Sequence, residues 1–196
     1  MKQLHRPDLY GWSVFDEARN LDFHGLCWVR EGGNVLVDPM PMSAHDLAHL
    51  TELGGVAVIV CTNSDHTRDI PALAERFGAR VAAPAAEREG FPIHVDRWLT
   101  DGDELVPGAT VITLDGSKTP GEVALQLGDT LVCGDLIRGH VGGRLNLLPD
   151  PKLSDRDAAL GSVARLAEVE VDAVLVGDGW HVFRGGRAAL RRLLRA

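Results

Sequence analysis

The 196-residue chain is long enough for one domain with a sizeable core, and 45% apolar with 24% charged residues is ordinary for a soluble globular protein. A net charge of -8 excludes a non-specific nucleic-acid binder, which needs surplus Lys and Arg to displace counterions. No apolar segment is long enough to span a bilayer and the N-terminus lacks the apolar stretch of a signal peptide. Cys27, Cys61 and Cys133 form neither a disulfide framework nor a Cys-x-x-Cys site, so a reducing cytoplasm is the expected compartment.

Leu9 to Phe15, Gly25 to Arg30 and Val35 to Val37 are rich in aromatic and β-branched residues and read as strands, with Glu31-Gly-Gly-Asn34 as a hairpin turn. Ser43 and Asp46 resemble a capping box for a helix carrying Leu47, Leu50 and Leu53, closed by Gly54. Val56 to Val60 is a short buried strand. It opens into a polar turn with Cys61, Asn63, Asp65 and His66, before a helix that starts near Pro71 and ends at Gly78. A loop leaving the carboxyl end of a buried strand is where α/β proteins place chemistry, and a carboxylate beside an imidazole suits a metal ion. The plainer alternative is that Asp65 and His66 cap the following helix.

Val81 to Ala83 predicts a strand, Pro84 to Glu89 a short helix and His94 to Leu99 another strand. Glu104 to Val106 and Thr110 to Leu114 predict a hairpin around Pro107-Gly108. Val123 to Leu127 and Thr130 to Cys133 flank the turn Gly128-Asp129. Residues 138–152, rich in Gly and Pro, predict a long loop. Asp155 to Glu168 reads as a helix, Ala173 to Val176 as a buried strand followed by Gly177-Asp-Gly-Trp-His181. The chain ends in a helix with Leu190, Leu193 and Leu194 on the apolar side and arginines exposed. Strand-only stretches at 9–38 and 104–133 point to two sheets packed face to face with helices outside.

The order Asp38, Thr62-x-x-Asp65-His66, Thr119-Pro120-Gly121-Glu122, a meander ending in Gly134-Asp135, then Gly177-Asp178-Gly179 resembles the metallo-β-lactamase superfamily across nearly the whole chain. The resemblance implies one domain over 1–196, an α/β (α+β) fold built as a four-layer αββα sandwich, with the site along one edge of the two sheets. It also exposes departures. Where the family has its His-x-His-x-Asp-His loop, this chain has Cys61, Asn63, Asp65 and His66. Lys118 stands before Thr-Pro-Gly in place of a His, and Asp178 in place of the last His.

An amide is a poor ligand and an ammonium none, so the first metal position should be empty. The second would draw on Asp65, His66, Asp135 and Asp178, for at most one divalent ion, with Zn²⁺, Mn²⁺ and Fe²⁺ all suitable. We expect Lys118 to pair with Asp135 and replace the charge of the lost ion. Asp65, Lys118 and Asp135 are the expected catalytic groups. Cys61, Asn63, Trp180 and His181 are expected to contact substrate, and Arg68 and Arg138 are near enough in sequence to bind an anion. Two functions follow: a mononuclear metal-dependent hydrolase acting on an ester, thioester, lactone or phosphoester, or a metal-free, non-catalytic descendant that binds a small molecule or a partner. A thiol enzyme using Cys61 with His66 is a third. No nucleic acid or membrane partner is expected, and a homodimer is open.

Overall fold

The computed structural model describes residues 1–195. Its apolar runs become strands because both faces of each sheet are covered. β1 (Lys2–Gln3), β2 (Leu9–Asp16), β3 (Leu21–Trp28), β4 (Val35–Val37), β5 (Val58–Val60), β6 (Arg80–Pro84) and β7 (Arg97–Leu99) lie side by side in chain order. Pairing is antiparallel up to β4 and parallel from β4 to β7. β8 (Glu104–Val106), β9 (Ala109–Leu114), β10 (Glu122–Leu127) and β11 (Thr130–Val132) form an antiparallel meander. β12 (Ile137–Val141) and β13 (Arg144–Leu147) make a separate hairpin, and β14 (Ala173–Leu175) joins the meander parallel to β11. Helices α1 (Ala44–Glu52) and α2 (Ile70–Phe77) cover the first sheet; α3 (Arg156–Glu168) and α4 (Gly186–Leu193) cover the second.

Side-chain alternation sorts the layers. Val35, Val37, Val58 and Val60 face the space between the sheets, against Val111, Val123, Leu125 and Val132. Leu36 and Ile59 point the other way, onto Leu50, Ile70 and Leu73. Ala124, Leu131 and Val174 meet Val163, Leu166 and Leu190. The architecture is therefore the αββα sandwich. Ser43 caps α1, accepting from the Asp46 amide at 3.1 Å, and Gly78 closes α2 with φ 63°.

Five expectations need correction. Residues 138–152 are not one loop: Gly142-Gly143 turns the β12–β13 hairpin, and a two-residue glycine turn is itself a strand-pairing signal. β3 begins at Leu21, because Asp22 and His24 find backbone partners in the Gly177–Gly179 segment beyond the reach of β4. Leu194 is exposed, while Arg187 and Arg191 pair with Glu168 at the end of α3. The predicted helix over 84–89 is only a single turn, Ala85–Glu87, and the strand predicted from His94 begins at Arg97.

Candidate functional site

Asp38, the 61–66 loop and Asp178 follow the carboxyl ends of the parallel strands β4, β5 and β14, so three loops open at one end of the sandwich. Lys118 comes from the β9–β10 connection and Asp135 from the residues after β11. Asp38 is held at φ 46°, a region that non-glycine residues seldom enter. There its carboxylate accepts from the Thr62 amide (2.7 Å), the Thr62 hydroxyl (2.5 Å) and His66 Nδ1 (2.7 Å).

From Asp38 a row of alternating charges crosses the site. His66 Nε2 lies 3.2 Å from Asp135 Oδ2, and Lys118 Nζ lies 2.7 Å from both Asp135 Oδ2 and Asp65 Oδ2. Burial opposes the charge on each inner member, but the neighbours win. Asp38 and Asp135 push the His66 imidazolium up to about 9, while His66 and Lys118 hold Asp135 well below the usual carboxylate range. Lys118 is raised against its burial by Asp135 and Asp65, so its amine is an ammonium at neutral pH.

The row is fixed from beneath. Asn63 accepts from the Asp65 amide at 3.0 Å and donates to Asp135 Oδ2 at 3.3 Å. Buried Glu122 accepts from the Ser117 hydroxyl at 2.6 Å and the Leu136 amide at 3.0 Å, tying the neighbours of Lys118 and Asp135 together. Burial, then the Asp135 charge, push Glu122 up to about 7. Asn63 and Cys61 are both buried and do not line the cleft, so neither is placed to meet a substrate. The Cys61 thiol donates to the Asn63 carbonyl, and burial followed by Asp38 raises its pKa; with His66 Nδ1 on Asp38, the geometry offers no Cys61–His66 pair for a thiol enzyme.

Asp178 is paired with groups other than those of the row. Arg138 Nε donates to its two oxygens at 3.0 and 2.8 Å, Nη2 adds a further bond, and His140 Nε2 stands 3.4 Å off. The segment carrying Asp178 is stitched between β3 and β12: the His24 amide donates to the Gly177 carbonyl, and the Gly139 amide to that of Asp178. At this seam Gly139 and Gly179 touch backbone to backbone. A Cβ on either would collide with the opposite main chain.

A cleft of about 420 Å³ opens over the row, walled by Phe23, Met40 and Leu148 and by the charged groups Asp16, Arg19, Arg68, Arg138 and Lys152. Trp180 and His181 are not in it. They line a separate cavity behind the β2–β3 hairpin, with Trp180 67% exposed and His181 4.4 Å from the His24 ring. Gly179, at φ 81°, turns the chain directly after Asp178 and carries both residues away from the row. Phe23, Arg19 and Lys152 carry no motif; only their positions near the hairpin and the 138–152 segment could have drawn attention.

The residues present do not make a cation cage. Asp65 and Asp135 share the Lys118 ammonium, which has no lone pair to give; both His66 nitrogens face carboxylates; and Asp178 is neutralised by Arg138. Among the described residues no group of three or more His, Cys, Asp or Glu is arranged to hold a metal ion. No helix among them is long and apolar enough to cross a membrane.

The sequence model of a family described as "Metallo-beta-lactamase superfamily" matches residues 1–196. No curated protein matches the chain. Among solved structures it is similar to the DIM-1 metallo-beta-lactamase (18% identity over 98% of this chain and 94% of that one, TM-score 0.78). It is also similar to FIM-1 from Pseudomonas aeruginosa in its mono-zinc form (16%, 95% and 90%, TM-score 0.70). A third is TTHA1623 in a di-iron-bound form (26%, 87% and 93%, TM-score 0.64).

Proposed function

We propose that this chain, which belongs to the metallo-β-lactamase superfamily, is a metal-free small-molecule-binding member of it, with Lys118 supplying the positive charge of its site. Membership supports a metallo-hydrolase-type function in general. The observation that favours binding without a metal is the single ammonium 2.7 Å from both Asp65 and Asp135. Two of the groups nearest the ammonium are also poorly set as general bases for hydrolysis without a metal. His66 stays protonated up to about 9, and Asp135 is held too acidic to take a proton from water.

A second reading rests on the same three ligand-type side chains. Were Lys118 to withdraw, Asp65, His66 and Asp135 would border one point, and a divalent ion there would polarise a carbonyl or phosphoryl oxygen and acidify its water. Zinc and iron, found in FIM-1 and TTHA1623, are its natural candidates. The test is metal analysis of untagged protein incubated with Zn²⁺, Mn²⁺ or Fe²⁺ and then desalted. The metal-free reading expects well under one equivalent from the wild type and a gain in Lys118→Ala. About one equivalent in the wild type overturns it and moves the assignment to the hydrolase.

A further inference from the structure

The cleft has five Lys and Arg side chains on its wall, and two of them are spent on carboxylates: Lys118 on Asp65 and Asp135, Arg138 on Asp178. Arg19 pairs more loosely, at 3.8 Å, with Asp16, which lines the same cleft. Arg68 and Lys152 have no carboxylate at ion-pairing distance among the described residues. Among the described residues Arg68 and Lys152 thus stand without a carboxylate partner around one cavity of an acidic chain, where water is partly excluded and charge acts more strongly than on open surface.

Arg68 is the built member of this set. Its Nη1 donates to the carbonyls of His24 at 3.1 Å and Asp38 at 2.9 Å, and its guanidinium carbon lies 5.8 Å from the centre of the Phe23 ring. Arg19 approaches the same ring at 5.5 Å. The Arg68 backbone sits at φ 33°. A non-glycine residue there is strained and persists only where its surroundings hold it, a pattern concentrated at binding sites. Nε and Nη2 make no hydrogen bond among the described residues, which leaves one edge of a planar fork free. Such a fork matches the two oxygens of a carboxylate or phosphate.

We propose that the ligand of this cleft is a small organic oxyanion, a carboxylate or phosphate on an apolar stem. Arg68, helped by Arg19 and Lys152, grips the anion, and the stem lies along Phe23, Met40 and Leu148. The assignment rests on the cleft being a ligand site. The experiment titrates phenyl phosphate, benzoate and uncharged benzyl alcohol into ¹⁵N-labelled protein and follows the amide resonances.

At least one of the two anions should bind saturably, with shifts around Phe23, Arg68 and Leu148 and with benzyl alcohol about tenfold weaker or worse; which anion is tighter identifies the headgroup. Arg68→Gln should lose about tenfold or more, and Arg19→Gln and Lys152→Gln about threefold each. Arg68 also ties two backbone carbonyls, so the exposed Arg19 and Lys152 carry the test should Arg68→Gln lose its fold. Benzyl alcohol binding as tightly as the anions, or anion affinity untouched in the Arg19→Gln/Lys152→Gln double variant, overturns the proposal. Protein that holds metal yet still prefers the anions keeps this assignment while the metal-free reading fails; metal-free protein without that preference reverses the two.

Discussion

His66 in the cleft and His181 behind it are two imidazoles withdrawn from water on loops at the same end of the molecule, yet their charges are set in opposite senses. Burial works against the cation in both. His66 lies between Asp38 and Asp135, which lift it to about 9; His181, beside the His24 and Phe183 rings and accepting from the Val176 amide at 3.1 Å, is lowered by burial to about 3. Withdrawal from water alone predicts the second outcome, and the first requires carboxylates placed at hydrogen-bond distance. The front of the β2–β3 hairpin is accordingly a fixed array of charges, and the back a lining rich in aromatic rings.

Removing the partner that separates the two environments should have the largest effect. Asp38→Asn leaves a buried imidazolium with one carboxylate and takes an acceptor from Thr62. We expect a loss of about 3 kcal/mol in urea unfolding at pH 7 and a His66 that titrates well below 9. A variant as stable as the wild type would mean that the row of charges does not hold the loops.

A smaller effect, opposite in sign at the two sites, comes from pH. His66, raised in the folded chain above 6.5, contributes stability in full below that value and loses it as pH climbs through about 9. For His181 the folded value is depressed, so its contribution is complete above 6.5 and is lost as pH falls from there towards 3. Between those limits the urea midpoint of His181→Phe should therefore fall less on acidification than that of the wild type. Parallel slopes would show that His181 is not neutral in the folded chain.

Trp180→Ala is expected to do least. An exposed ring on the far side should change stability by no more than about 0.5 kcal/mol and leave phenyl phosphate binding as it was. Weakened anion binding would join the two cavities that the hairpin now divides.

What sequence could and could not show follows from how each residue reaches its place. Asp65, His66 and Asp135 each close a buried apolar strand, and Lys118 lies next to the turn entering another. Strand ends are visible as the point where an apolar run stops, so their meeting at one end of the sandwich could be read. Arg138 could not be matched to Asp178, because that pairing needs the β12–β13 hairpin, which the Gly and Pro content disguised as a loop. Trp180 and His181 follow Asp178 so closely that they were expected beside it, but Gly179 at φ 81° turns the chain between them. The φ of Asp38 and Arg68 left no trace in composition, since only tertiary contacts hold a non-glycine residue there.

The seam at Gly139 and Gly179 has a mechanical consequence. Two main chains lie flush there because each offers only a hydrogen to the other, and it is this flush fit that brings the hairpin's guanidinium down onto the Asp178 carboxylate. A single methyl at either position would behave as a shim, prising the hairpin outward and freeing both charges at once. The floor of the cleft would then change its bore and its polarity without the loss of a single ionisable group.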